Sequence, residues 1–311
     1  MADQVGLVLV LVILILAFGL TTQNFLTKEQ FRSMANQIPA MVVVTVGMTY
    51  VLVIAGIDLS VGSVLALCGV VMGTLMTAKH PMPLWVAAIA ALGMGLACGA
   101  FNGLVTVVWS IPSFVVTLGM LEIARGAAHW LSGSTTAYIT GGRASPIANT
   151  LFLGLQMPFW IAVVTVIVAQ LVLSRTVFGR YIIAIGTNEE AVRLSGIRTW
   201  PLKVSVFMIA GFLSGLGALI EVSRNEYSSP NAGDGWELAA IAAAVIGGTS
   251  LMGGRGSVIS STLGVAIMTV LSAGLAARGV SDEKKRVITG SVIILAVILD
   301  YYRNRLGSSQ K

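Results

Sequence analysis

The sequence predicts an all-α polytopic membrane protein with about ten transmembrane helices, some of them broken or re-entrant. Three observations carry this reading. Of the 311 residues, 56% are hydrophobic and only 10% are charged, with a mean hydropathy of +0.90; soluble domains carry about 25% charged residues. Apolar runs near the length needed to cross a bilayer recur along the whole chain, without polar positions at period 2 or 3.6 to interrupt them. The basic residues lie mostly between those runs and not in one patch. The net charge of +6 therefore reads as membrane topology and not as a nucleic-acid surface, which would gather basic residues and stacking aromatics in one patch.

The first run, Val5 to Leu20, has no basic segment before it and no small-residue cleavage pattern after it, so it reads as a helix and not as a signal peptide. From Ile38 to Thr77 the only charged side chain is Asp58. One helix over that stretch would be about 60 Å long, about twice the hydrocarbon thickness, so two spans, 38–56 and 58–77, are expected to meet at Asp58. Gly56 is expected in the left-handed position that ends the first, with Asp58 or Ser60 accepting from the free amides that begin the second. At such a turn Asp58 would reach headgroups or water, avoiding the cost, about 3 kcal/mol, of a charge at a helix centre.

Further runs follow at 84–108, 113–131, 159–173, 202–221, 237–250, 257–275 and 287–301. The 237–250 run is short and followed by glycines, which suits a broken or re-entrant helix. Cys68 and Cys98 both lie inside apolar runs and define neither a disulfide framework nor a metal-ligand spacing. The 174–201 loop is the most basic long connection; with Lys203 just beyond it, it brings Arg175, Arg180, Arg193 and Arg198, and is expected to be cytoplasmic. Ten spans then place both termini on the cytoplasmic side, in agreement with Arg303, Arg305 and Lys311. The same count places "ARGVSDEKKR", 277–286, outside, against its four basic residues.

Three stretches stand out chemically. In "GTNEEAVRLSGIR", 186–198, Asn188 is a good N-cap, Glu189 and Glu190 occupy a first turn, Arg193 lies near the end and Gly196 can stop the helix. Ala191, Val192 and Leu194 give it a small apolar surface. A helix this short needs something to pack on, either its own chain or a soluble partner. Glu122, Arg125 and His129 share one helical face, as an internal ion pair or as a proton or substrate pathway. The glycine-rich "AAVIGGTSLMGGRGSV", 243–258, lacks the Gly-Lys of a phosphate loop, which occurs nowhere in the chain, so its glycines serve close packing or a helix break. Gly56-Ile57-Asp58-Leu59 leading to Gly62-Ser63-Val64 is faintly echoed by Gly248-Thr249-Ser250-Leu251 leading to Gly256-Ser257-Val258, a pair of breaks of the kind that frame transport pathways. No nucleophile, base or metal constellation appears, so an enzyme is not expected.

These stretches resemble the transmembrane permease subunits of bacterial ATP-binding-cassette importers of the ribose, xylose, arabinose and galactose class. The most specific marker is "GIDLSVGS", 56–63, preceded by Gly47-Met48-Thr49. "NFLT" at 24–27, "IPSFVVTLGMLEIARG" at 111–126, "GRYIIAIGTNEEAVRLSGI" at 179–197 and "GWELAAIAAAVIGGTSLMGGRGS" at 235–257 support it in the same order. The "DEKKR" after Ser281 departs from the amide-rich or aromatic segment of relatives.

The resemblance implies a single permease domain over 1–311 that carries a sugar or sugar-like solute across the bacterial inner membrane. A second permease chain, identical or homologous, would complete the channel. A cytoplasmic ATPase would bind the ATP and Mg, with no cofactor on this chain, and a periplasmic or lipid-anchored binding protein would deliver the solute. The 188–196 helix resembles the coupling helix, with Asn188, Glu189, Glu190, Ala191, Arg193, Leu194 and Gly196 meeting the ATPase. Gly56, Asp58, Ser60, Arg125, Gly248, Thr249 and Ser250 are the expected pathway or gating residues. An ion-coupled secondary transporter using Glu122, Arg125 or Asp58 is the competing expectation.

Overall fold

A computed structural model describes residues 2–23, 25–281, 283–292, 294, 295 and 298. The elements run α1 (Ala2–Thr21), α2 (Lys28–Val53), α3 (Val61–Thr77), α4 (Leu84–Val108), α5 (Ser113–Ser132), β1 (Ala137–Tyr138), α6 (Pro146–Asn149), β2 (Leu151–Phe152), β3 (Leu155–Gln156), α7 (Met157–Arg175), α8 (Val177–Leu194), α9 (Thr199–Asn225), β4 (Tyr227–Ser228), α10 (Trp236–Ile246) and α11 (Val258–Ala277). Residues 283–292 are again helical. The rest of the expected 287–301 span, and Arg303, Arg305 and Lys311, lie largely outside the described residues. Among the described residues, six helices are long and apolar enough to cross a membrane: α1, α2, α4, α7, α9 and α11. Helix α3 is shorter, and α10, at 11 residues, covers about 16 Å, half a bilayer core.

Small residues organise the centre. Gly95, Gly99 and Gly103 recur every fourth residue on α4 and face Gly211, Phe207 and Val204 of α9, with Gly215 against Ala91. A Cβ on Gly95 would overlap the Gly211 carbonyl, and one on Gly211 the Gly95 carbonyl, so the two backbones touch. This small-residue stripe lets dispersion contacts replace the hydrophobic drive that helices in lipid lack. Numbers rise on one helix as they fall on the other, so α4 and α9 are antiparallel.

Helix α2 is also antiparallel to α9, with Gly47 against Ala210 and the Arg224 guanidinium donating to the Asn36 carbonyl. Helix α3 runs parallel to α9, Leu65 facing Gly217 and Gly73 meeting Ser228. The bundle end carrying the α8–α9 connection thus also holds the C-terminal end of α2, while Asn225 and Lys28 lie at the other. Phe18 of α1 packs on Gly274 of α11, and the Arg278 guanidinium stands 5.4 Å over the Phe18 ring. The turn after α11 therefore lies opposite the α8–α9 connection, as the count of ten spans requires and the charge rule does not.

The structure revises several boundaries. Helix α2 begins ten residues before the apolar run, because Thr27 caps it by accepting from the Gln30 amide and Lys28–Gln37 continue the helix as polar turns. The 237–250 run closes at Ile246, so the broken-helix alternative holds. Short β1–β4 and β2–β3 pairs fill loops in which no strand was expected.

Candidate functional site

The segment between α2 and α3 corrects the expectation of a surface turn. Gly56 packs on Phe207, and Gly62 meets Gly233 and Glu237, so residues 54–60 fold back into the bundle. Asp58 is 2% exposed and reaches neither headgroups nor water. Nor is Gly56 the left-handed residue: Ala55 takes that position, with φ of 58°, followed by Gly56 N–H bonding to the Val51 carbonyl. Ser60 precedes α3 without a side-chain cap bond.

Irregular backbone at membrane depth must find its hydrogen bonds inside the protein. Here the partners come from α5 and from the segment itself. Ser113 Oγ accepts from Ile57 N at 2.9 Å, and Thr117 Oγ1 accepts from Leu59 N at 3.0 Å while donating to the Ile57 carbonyl at 3.2 Å. Asp58 Oδ1 accepts from the Ser60 amide at 2.9 Å and from its hydroxyl at 2.6 Å. Ser60 Oγ in turn accepts from Asn102 Nδ2 at 2.9 Å. Asp58 is therefore the acceptor that holds a buried loop closed. Ser113, Thr117 and Asn102 were not singled out from sequence; a lone amide in the apolar α4 run was the available signal.

The caps of the short helix are as expected, whereas the stretch that leads to it, read as a loop, is helical from Val177. The helical backbone that starts at Val177 is interrupted only at Asn188, whose conformation (φ −161°, ψ 95°) is extended and whose Oδ1 accepts from Ala191 N at 3.0 Å. Gly196, at φ of 84°, ends it. Glu189 ties it to α9, accepting from Thr199 Oγ1 at 3.0 Å and pairing with Lys203 at 2.9 Å. Glu190 and Arg193 form an exposed pair at 3.1 Å. Val192 is buried against the bundle, whereas Ala191 is exposed and Leu194 is 80% exposed. Between this helix and residues Gly56, Pro112 and Ser113 lies a cleft of about 850 Å³, with Glu189, Arg193 and Lys203 on its other wall.

The loop after α10 joins the same end. Gly248, Gly253 and Gly254 have positive φ, Thr249 Oγ1 lies 3.1 Å from Ser261 Oγ, and Ser250 N–H bonds to the Arg255 carbonyl at 3.0 Å. Thr249 and Ser250 are buried. Gly253 abuts Ala55, so the two breaks whose sequences echo each other are side by side. Arg125 stands elsewhere: its Nη1 donates to the Pro230 and Ala232 carbonyls at 2.6 and 2.9 Å, holding the 226–235 segment that leads into α10. Glu122 is exposed and makes no ion pair with Arg125 among the described residues, so neither the internal pair nor a relay through both is formed. On the opposite end from the short helix, a cavity of about 460 Å³ is walled by Tyr138, Glu221, Asn225, Tyr227, Asn231 and Trp236, none of them anticipated.

Apolar helices of spanning length, broken helices, buried irregular segments and a short exposed helix at one end define a multi-pass membrane protein. The comparisons specify it further. Residues 30–297 match the family described as branched-chain amino acid transport system / permease component, and the chain belongs to that family. It is 37% identical to the ribose import permease protein RbsC of Escherichia coli (strain K12), over 96% of this chain and 93% of that one. It is 33% identical to the L-arabinose ABC transporter permease protein AraH of Azospirillum brasilense, over 99% and 91%, and 34% identical to the ribose import permease protein RbsC of Bacillus subtilis (strain 168), over 96% and 92%. No solved structure matches. The permease component is the membrane part of such a transporter, and ATP hydrolysis belongs to a separate subunit.

Proposed function

We propose that this chain is the membrane-spanning permease of an ATP-driven importer for a pentose or a similar neutral sugar in the bacterial inner membrane. The full-length similarity to ribose and arabinose permeases supports the substrate class. One observation carries the mechanism: the capped Asn188–Gly196 helix is anchored to α9 by Glu189 yet leaves Ala191 and Leu194 uncovered. An apolar pair on an otherwise charged, exposed short helix is the footprint of a docking helix. In this reading it seats in the ATPase on the cytoplasmic side, where ATP and Mg are bound, and both termini share that side.

Closure of the ATPase then moves the 188–196 helix against the ends of α2 and α9. The segment holding Gly56, Asp58 and Ser60 and the loop holding Gly248, Thr249 and Ser250 both rest on that contact, and shift the path between outward-open and inward-open states. A second permease chain completes the path, and a binding protein docks at the opposite end, near Arg125 and the 226–235 segment. Arg125 keeps that segment in place instead of carrying ions.

The test is capture of the ATPase from native membranes in mild detergent, comparing wild type with Leu194→Asp and Glu190→Arg. Both residues are exposed and the Glu190–Arg193 pair lost in the second variant is a surface one, so both variants are expected to fold, which their thermal midpoints check. Loss of a tandem ATPase from both variants supports docking through this helix. Retention by both, or absence of any ATPase with folded wild type, refutes it and returns ion coupling to consideration.

A further inference from the structure

Large apolar side chains cover most of the bundle's perimeter: along α1, at Trp85 and Ile89 of α4, and at Val164 and Ile167 of α7. That is a surface a bilayer solvates. One sector departs from it. Between the N-terminal half of α2, α10, α11 and the helical residues 283–292 lies a cleft of about 730 Å³. Its walls carry Gln30, Ser33, Gln37, Thr269, Ser272 and Thr289; among the described residues that line it there is no carboxylate, and Lys285 is the one ionisable group.

The depth of this cleft follows from the helix packing. Its polar mouth lies at the Lys28 end of α2, opposite the short helix, where Gln37 and Ser272 are exposed. Its floor is Met41, Ala243 and Val265, deep in the bundle, beside Trp236 at the start of the half-helix α10. Gln37 Nε2 donates to Ser33 Oγ at 3.0 Å and Thr269 Oγ1 to the Val265 carbonyl at 2.9 Å; the donor and acceptor capacity that these bonds leave over would face hydrocarbon at a cost. A water-filled half-channel solvates it. Neutral donors and acceptors on two walls, with an indole at the end, suit an uncharged polyhydroxylated solute whose ring has one apolar face.

The geometry points to this cleft as the outer half of the solute path, with Gln37 and Ser272 at its entrance and Trp236 where it stops. This rests on the importer reading. The two native cysteines, Cys68 and Cys98, are buried, so single introduced thiols can be read against a silent background.

The experiment uses the complete transporter in proteoliposomes, with Gln37→Cys and Ser272→Cys in the cleft and Ile89→Cys on the apolar perimeter, probed with a charged thiosulfonate and with a lipid-soluble maleimide. Uptake of radiolabelled ribose and arabinose is followed. The charged reagent is expected to label positions 37 and 272 at least tenfold faster than position 89, and to reduce uptake at least tenfold at those two only. Labelling of 37 and 272 by the maleimide alone, or full labelling with uptake unchanged, overturns the assignment. Absence of ATP-driven uptake before any labelling instead overturns the importer reading, and the path with it.

Discussion

The Gly254 amide donates to the Val53 carbonyl at 2.9 Å, joining the loop after α10 to the last turn of α2. Gly186, two residues before the N-cap of the short helix, lies against both: a Cβ there would overlap the Val53 oxygen and come within 2.5 Å of the Gly254 nitrogen. Three separate segments thus approach one another at their backbones. A contact between backbones cannot be relaxed by a rotamer change, so movement of the short helix, as proposed above, would be passed on to α2 and to the loop after α10.

Gly186→Ala tests that contact. The added methyl must push α8 off α2 or break the Gly254–Val53 bond, leaving one of the terminal carbonyls of α2 without its partner. The expected loss is about 1–3 kcal/mol, read as a lower thermal midpoint in detergent. ATP-dependent uptake should fall further than stability does. Unchanged midpoint and uptake would show that the helices separate at no cost.

Thr117 supplies the second prediction. Thr117→Val keeps the shape but removes the acceptor for Leu59 N–H and the donor to the Ile57 carbonyl. A buried amide left unpaired costs about 1–3 kcal/mol, so the valine variant should unfold earlier while Thr117→Ser recovers most of the difference. Equal midpoints for valine and serine would mean that the segment finds other partners.

Asp58 separates two roles by chemistry. Its Oδ1 accepts both bonds from Ser60, and Asn can present the same oxygen. Asp58→Asn should therefore retain most uptake, and Asp58→Leu should lose it together with about 1–3 kcal/mol of stability for the Ser60 amide left buried and unpaired. An Asn variant that folds and docks normally but does not transport would assign the charge itself to gating.

The fold class, the short helix and its capping residues were legible because each is written in local pattern: apolar runs of spanning length, and an N-cap followed by a left-handed Gly196. The location of Asp58 was not. A tight surface turn and a re-entrant loop both need glycine and a short acceptor, and only tertiary packing says that Ser113, Thr117 and Asn102 stand ready to receive the chain. Polar turns hid the start of α2, since Lys28–Gln37 extend the helix beyond its apolar portion. Arg125 stood out in the sequence as a charge inside an apolar run, but its bonding was illegible, because Pro230 and Ala232 lie more than a hundred residues away.

That long reach makes Arg125 a sensitive probe of the 226–235 segment. Two carbonyls share its Nη1, and the segment they belong to presents Gly233 to Gly62 at the start of α3. Arg125→Leu removes the donor and should release the segment, giving hydrogen exchange over residues 229–235 at least tenfold faster than in wild type. Arg125→Lys supplies a compact cation in place of the planar fork and should restore protection only in part. Because the short helix lies at the other end of the bundle, ATPase capture should be unchanged in both variants. Loss of capture together with the faster exchange would mean that Arg125 supports the whole bundle; unchanged exchange in the leucine variant would mean that the segment is held by Gly62 and its own turns.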